Sequence, residues 1–185
     1  MLAAADALFA DGTLSTGEDA LAAVSMDDIA AAAGVGKGTL FRAFGSRDGL
    51  LDALFAERMA RLRAAVEEGA PPLGPQAPPR ERLLAVLGAI LAFKLENAPL
   101  IRAREIASSG VPQSGQYRWM HRTLRDLIEH ARSGGRGSSD LDAGYGAHVL
   151  LNALRPDLID ELLASGSTPD EIASAQAALA RRILG

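Results

Sequence analysis

The sequence predicts an all-helical fold, with a three-helix head containing a helix-turn-helix carried on a larger helical body. Three observations predict it. Hydrophobic residues make up 48% of the chain while aromatics are only 4%, and alanine supplies much of the remainder, a mixture that surrenders little rotamer freedom in a helix. Apolar residues recur three and four apart instead of alternating. The breaks between these stretches fall at glycine, proline or residues that cap helices.

In the first fifty residues, Leu2, Ala5, Leu8 and Phe9 lie at helical spacing and predict a short helix ended near Gly12. Asp11 to Val24 reads as a long connection holding at most one helical turn, at Asp19 to Ala23. Ser25 precedes Met26, Asp27 and Asp28, so a hydroxyl and carboxylates stand ready for the free amides of a first turn, and a helix is expected from Met26 to Ala33. Gly34 stops it, because glycine takes a left-handed backbone without a Cβ clash. A second short helix spans Lys37 to Phe44 and closes at Gly45. Ser46 caps a third that runs to about Glu68, with Leu50, Leu51, Leu54, Phe55, Met59 and Val66 along one side. The head is thus assigned to residues 1–50 and the body to 51–185.

The proline-rich stretch from Ala70 to Pro79 cannot continue a helix and is expected as a loop within the body. Further helices are expected near 80–95, 98–108, 115–132, 140–154, 156–164 and 169–184. Pro99, Gly110 with Pro112, the run Ser133 to Ser139, Pro156, and Gly166 with Pro169 separate them.

Two helices that cross over a turn of three or four residues need a small side chain at their contact, a permissive residue in the turn and apolar plugs inside. Ala30, Gly34, and the set Ile29, Val35, Leu40 and Phe44 fill these roles in turn. The outer face of the second helix then carries Lys37, Gly38, Phe41 and Arg42, with Thr39 near its start. Lysine and arginine reach phosphates or guanine edges, threonine donates to phosphate, and a helix N-terminus attracts phosphate, so this face suits the major groove of duplex DNA. The run Gly34 to Thr39 superficially suggests a nucleotide-binding loop. That motif requires glycine where Ala31 stands and serine or threonine where Gly38 stands, and it follows a strand, not a capped helix.

From Ser25 through Leu51 the sequence resembles the N-terminal domain of TetR-family transcriptional regulators. The resemblance implies a homodimer, usually a repressor, whose body binds a small effector and dimerises through its last two long helices. It places Lys37, Thr39, Phe41 and Arg42 at operator-facing positions, and Arg47 where a basic residue touches phosphate at the start of the fourth helix. Ser25 and Gly36, at the starts of two helices, complete the DNA-binding set. Phe41 replaces the tyrosine usual in the family, and Gly36 replaces a frequent capping serine. Double-stranded operator DNA, a second copy of the chain and a small apolar or amphipathic effector are the implied partners.

In the body, Phe93, Tyr117, Trp119, Met120, His121 and His148 are candidates for the effector pocket, as rings and polar groups on an apolar background. Leu141, Tyr145, Val149 and Asn152 share one helix face, and Ile172, Ala175, Leu179 and Ile183 another; these are the candidate dimer surfaces.

Composition narrows the remaining classes. The absence of cysteine removes disulfides, thiolate metal sites and cysteine nucleophiles. His121, His130 and His148 are the only histidines, there is no HExxH run and no nucleophile elbow, so neither an enzyme nor a cofactor is expected. The first ten residues lack a basic start, and no stretch approaches 18 uninterrupted apolar residues, so a cytoplasmic protein without a membrane partner is expected. Net charge is -4, and residues 1–50 hold Lys37, Arg42 and Arg47 against seven acids. That balance argues against a general nucleic-acid coat and supports a second reading, a helical homodimer of the same fold that binds ligand or protein with little DNA affinity.

Overall fold

A computed structural model describes residues 1–10, 25–107, 115–133 and 140–185, with the backbone alone for residues 8–10, 103 and 105–107. The expected connection Asp11 to Val24, the break at Gly110 with Pro112, most of the run Ser133 to Ser139 and the side chains of Leu8 and Phe9 lie outside what is described. Among the described residues the structure is all-helical. Its helices are α1 (Leu2–Ala10), α2 (Met26–Ala32), α3 (Lys37–Phe44), α4 (Arg47–Glu67), α5 (Pro79–Glu96), α6 (Ala98–Ala107), α7 (Gly115–Ser133), α8 (Ala143–Asn152), α9 (Pro156–Ala164) and α10 (Pro169–Leu184). The chain divides into two compact units, one of Met1–Ala60 with Asn97–Ser109 and the other of Arg61–Glu96 with Gly110–Gly185.

In the first unit, α2 packs against both α1 and α3. Ile29, Ala30, Leu40, Leu50, Leu51 and Leu54 are buried, as an apolar stripe at helical spacing requires. Val35 and Phe44, expected as core plugs, are only half-buried, because Val35 stands in the turn between the two helices and Phe44 at the last residue of α3. One guanidinium joins three segments of this unit. Arg58 of α4 donates from Nε to Asp6 Oδ1 of α1 at 2.6 Å and from Nη1 to Asn97 Oδ1, just before α6, at 2.6 Å. Arg104 of α6 also pairs with Asp52 at 2.7 Å and lies 4.0 Å over the Phe55 ring, tying α6 to α4.

In the second unit, α7 packs on α8 and α5, and α10 packs on α5, α7, α8 and α9. The core is Leu83, Leu87, Ile90, Leu124, Ile128 and Leu150, all essentially inaccessible to water. Arg82 closes the proline-rich turn by donating to the Leu73 and Val66 carbonyls at 2.8 and 2.7 Å. The helix expected from residue 140 begins at Ala143, where Asp142 caps it by accepting from the Tyr145 N–H at 2.7 Å. Thr168 and Glu171 form a reciprocal capping box at the start of α10. No described helix is long and apolar enough to cross a membrane.

Candidate nucleic-acid interface and body sites

The geometry of α2 and α3 follows from their termini. Ser25 is extended, at φ −84° and ψ 161°; its Oγ accepts from the Asp28 N–H at 3.2 Å, and the Asp28 carboxylate accepts from the Ser25 N–H at 3.0 Å and its hydroxyl at 2.6 Å. These bonds favour the charged carboxylate, so its pKa lies below the usual aspartate value. Gly34 turns the chain at φ +64°, and the Val35 N–H returns to the Ala30 carbonyl at 3.0 Å. At the far end of α3, a Cβ on Gly49 would stand 2.1 Å from the Phe44 carbonyl oxygen, so only glycine lets α4 begin so close to the end of α3.

Between these fixed ends, α3 buries Leu40 completely and turns Lys37, Gly38, Thr39, Phe41 and Arg42 to solvent. Phe41 is 40% exposed, unusual for a ring on a small helical unit. Arg42 holds only a long contact to the Gly38 carbonyl, at 3.4 Å. Gly36 is the N-cap of α3 and gives it no side-chain cap, leaving first-turn amides unbonded by any hydroxyl. Arg47 is half-buried at the start of α4. Two of the expected DNA-binding residues are engaged inside the motif itself. The Ser25 hydroxyl serves the cap, and Lys37 Nζ lies 2.7 Å from Asp27 Oδ2 of α2, in an ion pair that reading the residues singly does not reveal.

The six residues expected to line one pocket separate into groups. Tyr117, His121 and His148 come together where α7 meets α8. The Tyr117 hydroxyl lies 2.7 Å from His148 Nδ1, the two imidazole rings are 4.0 Å apart, and His121 Nε2 lies 3.0 Å from the Gly144 carbonyl oxygen. Since a carbonyl only accepts, His121 carries a proton on Nε2. Partial burial, and secondly the charge of His121, lower the pKa of His148; partial burial raises that of Tyr117. Trp119 is buried and donates from Nε1 to Glu67 Oε1 at 2.9 Å, with the Arg63 guanidinium 5.9 Å over its ring. Phe93 and Met120 are core residues. None of the six lines the groove of about 340 Å³ that runs between α5 and α10, where Leu84, Leu87, Gly88, Leu91, Ala173 and Arg181 are found. Gly88 carries no side chain, so a pattern of large apolar residues gives no sign of it. The described residues contain no cluster of three or more metal-ligating groups.

The candidate dimer faces also divide. Tyr145 is 61% exposed and Asn152 and Ala175 are exposed, whereas Leu141, Val149 and Leu179 are half-buried. Ile172 and Ile183, assigned to the same surface from sequence, are instead core residues at 5% exposure each. A Cβ on Gly146 of α8 would lie 3.1 Å from Ile183 Cγ2, so the small residues of α8 receive Ile183 from the chain's own α10.

Comparison with known proteins agrees with this architecture. Residues 1–54 match the family model of bacterial regulatory proteins, tetR family. No curated protein sequence matches. Among solved structures, a regulator assigned to the TetR family from Rhodococcus sp. is similar at TM-score 0.73 and 22% identity, over 100% of this chain and 98% of that one. A TetR transcriptional regulator from Streptomyces coelicolor is similar at TM-score 0.54 and 28% identity, over 99% and 93% of the two chains. The transcriptional regulator FadR from Bacillus subtilis, solved with stearoyl-CoA, is similar at TM-score 0.63 and 15% identity, over 100% and 96%. The first 54 residues thus match the tetR family model, and over its whole length the chain shares the fold of solved structures of that kind.

Proposed function

We propose that this chain is a ligand-responsive repressor that acts in the cytoplasm as a homodimer, binds a palindromic operator through residues 1–50, and is released when a small apolar or amphipathic molecule enters the body, residues 51–185. The observation that carries the proposal is the division of α3, with Leu40 sealed into the head and Thr39, Phe41 and Arg42 facing out beside an uncapped helix N-terminus. A phosphate bound there meets free amides and the positive end of the helix dipole, while Arg42 and Thr39 are within reach of base edges or neighbouring phosphates. Gly36 and Gly38 permit close backbone approach, Ser25 and Arg47 flank the contact, and two such heads about 34 Å apart fit successive major grooves.

Release follows from population shift. An effector that prefers a head separation mismatched to DNA binds that state more tightly and draws the dimer away from the operator. The stearoyl-CoA held by FadR supports an amphipathic effector.

A second reading is favoured by one specific observation. The Lys37–Asp27 pair neutralises a cation on the reading face of an already acidic head, as in a helical ligand- or protein-binding homodimer with little DNA affinity. Fluorescence anisotropy separates the two, using the chain's own upstream intergenic DNA, an unrelated duplex and the Arg42→Ala variant at two salt concentrations. The regulator reading expects preference for the upstream DNA, weakening with salt, and a loss of about tenfold or more in the variant. Equal, feeble binding to both duplexes, untouched by the substitution, favours the second reading.

A further inference from the structure

We propose that the groove between α5 and α10 binds a medium-chain amphipathic anion, with its hydrocarbon chain over Leu84, Leu87 and Leu91 and its anionic head on Arg181. The groove holds about 340 Å³, at the small end of the range for ligand sites. Leu87 and Leu91 are buried and form its floor, Leu84 is half-buried, and Gly88 between them is exposed. An ideal Cβ on Gly88 meets nothing within 4 Å, so the missing side chain is what opens the trough. The opposite wall is α10, where Ala173 and Ala177 are again small and Ser174 and Gln176 stand beside them, so a chain can lie between the two helices with its apolar contact mainly on the leucines of α5.

Charge identifies the head group. Arg80 near the start of α5 donates to the Gly185 carbonyl at 2.6 Å, which sets α5 and α10 antiparallel and brings Arg181 to the Leu84 end of the trough. Arg181 is exposed, and its guanidinium makes no hydrogen bond or ion pair with any described residue, while Arg182 and Arg80 add positive charge at the same end. From Leu84 to Leu91 the helix rises about 10 Å, a length that suits a chain of eight to ten carbons. A cation at one end of an apolar trough recognises a carboxylate amphiphile over a neutral one, since the head gains a charge-assisted hydrogen bond while the tail leaves water.

As the seat of the effector, this site rests on the regulatory reading above; as a binding site it stands without it. The test is calorimetric titration of the full chain with sodium decanoate below its micellar concentration, with decanol and acetate in parallel. One decanoate per chain is expected, with decanol about tenfold weaker and acetate not binding. Gly88→Phe, whose Cβ meets nothing within 4 Å, places a ring in the trough and should abolish decanoate binding while keeping the helical circular dichroism and melting temperature of the parent. Arg181→Gln should weaken decanoate about tenfold and leave decanol unchanged. Decanoate binding that survives Gly88→Phe, or that ignores Arg181, overturns the proposal. So does a Gly88→Phe chain that sediments at half the parental mass, since the groove would then hold a second copy. Operator binding measured on the same variants keeps the two readings apart. Loss of decanoate binding with intact operator binding acts on the groove alone, and failure to bind any operator leaves the calorimetric result standing.

Discussion

Lys37 of α3 and Asp27 of α2 are joined across the helix-turn-helix by a 2.7 Å ion pair, and both side chains are more than half exposed. A pair this exposed contributes little to stability, because water and salt screen it. Its consequence is for DNA, which must compete with Asp27 for the ammonium group. Asp27→Asn should therefore raise operator affinity and steepen the salt dependence by about one counterion per head, with the melting temperature unchanged. Anisotropy titrations at four salt concentrations measure this; a slope unaltered by the substitution would show that Lys37 touches no phosphate.

The capping box of α2 makes the recognition motif depend on one hydroxyl. Ser25→Ala removes the acceptor for the Asp28 N–H and should cost about 1 kcal/mol in urea unfolding. The Asp28 carboxyl, held below its ordinary value by Ser25, adds a pH term whose sign is fixed. Its contribution is complete above the unfolded aspartate value and is lost as pH falls through the lower folded value. The difference between wild type and Ser25→Ala should accordingly shrink in acid; a difference that grew as the pH dropped would rule out the box.

Much of this head was legible because its determinants are local. The cap at Ser25, the turn at Gly34 and the span Lys37 to Phe44 each announce themselves within four residues, and each stands where expected. What escaped is non-local. Nothing near Lys37 in sequence names Asp27 as its partner, and nothing near Gly88 says that α10 lies opposite. Periodicity likewise told that Ile172 and Ile183 share an apolar face but not which helix covers it, since burial against the same chain or a second copy demands the same pattern.

Arg58 gathers α1, α4 and the residue before α6 around a single guanidinium, at 2.6 Å to both Asp6 and Asn97. Its side chain is 14% exposed, so screening is weak, and no other residue type offers the same planar fork of donors. Arg58→Met preserves most of the apolar stem and removes the fork. It should cost about 2–3 kcal/mol in denaturant unfolding. Arg58→Lys should recover only part of that; full recovery would reduce the cluster to a simple charge contact.

The His148 ring should titrate below 6.5, for partial burial and the nearby His121 both disfavour its cation. Since the unfolded chain takes up this proton first, the stability His148 contributes is complete above its unfolded value and declines as pH falls through the folded one. His121→Asn removes the second of the two causes, and the His148 pKa should rise while staying below that of a free imidazole. Imidazole proton NMR titration of both chains provides the measurement. An unmoved His148 would mean that burial alone sets the shift.

Ile183 of α10 and Tyr145 of α8 offer opposite tests of one surface. Ile183 fills the space left by Gly146, so Ile183→Ala opens a cavity inside each chain and should cost about 3 kcal/mol at any protein concentration. Tyr145, 61% exposed, contributes little to the isolated fold, yet in the proposed homodimer it lies in the contact. Tyr145→Glu should thus shift sedimentation toward the monomer and weaken operator binding, because two tethered heads bind a palindrome far better than one. Its unfolding should match that of wild type at concentrations where both are monomeric. If Tyr145→Glu sediments as a dimer, the contact must be built elsewhere, and the exposed Ala175 and half-buried Leu179 of α10 become the next positions to charge.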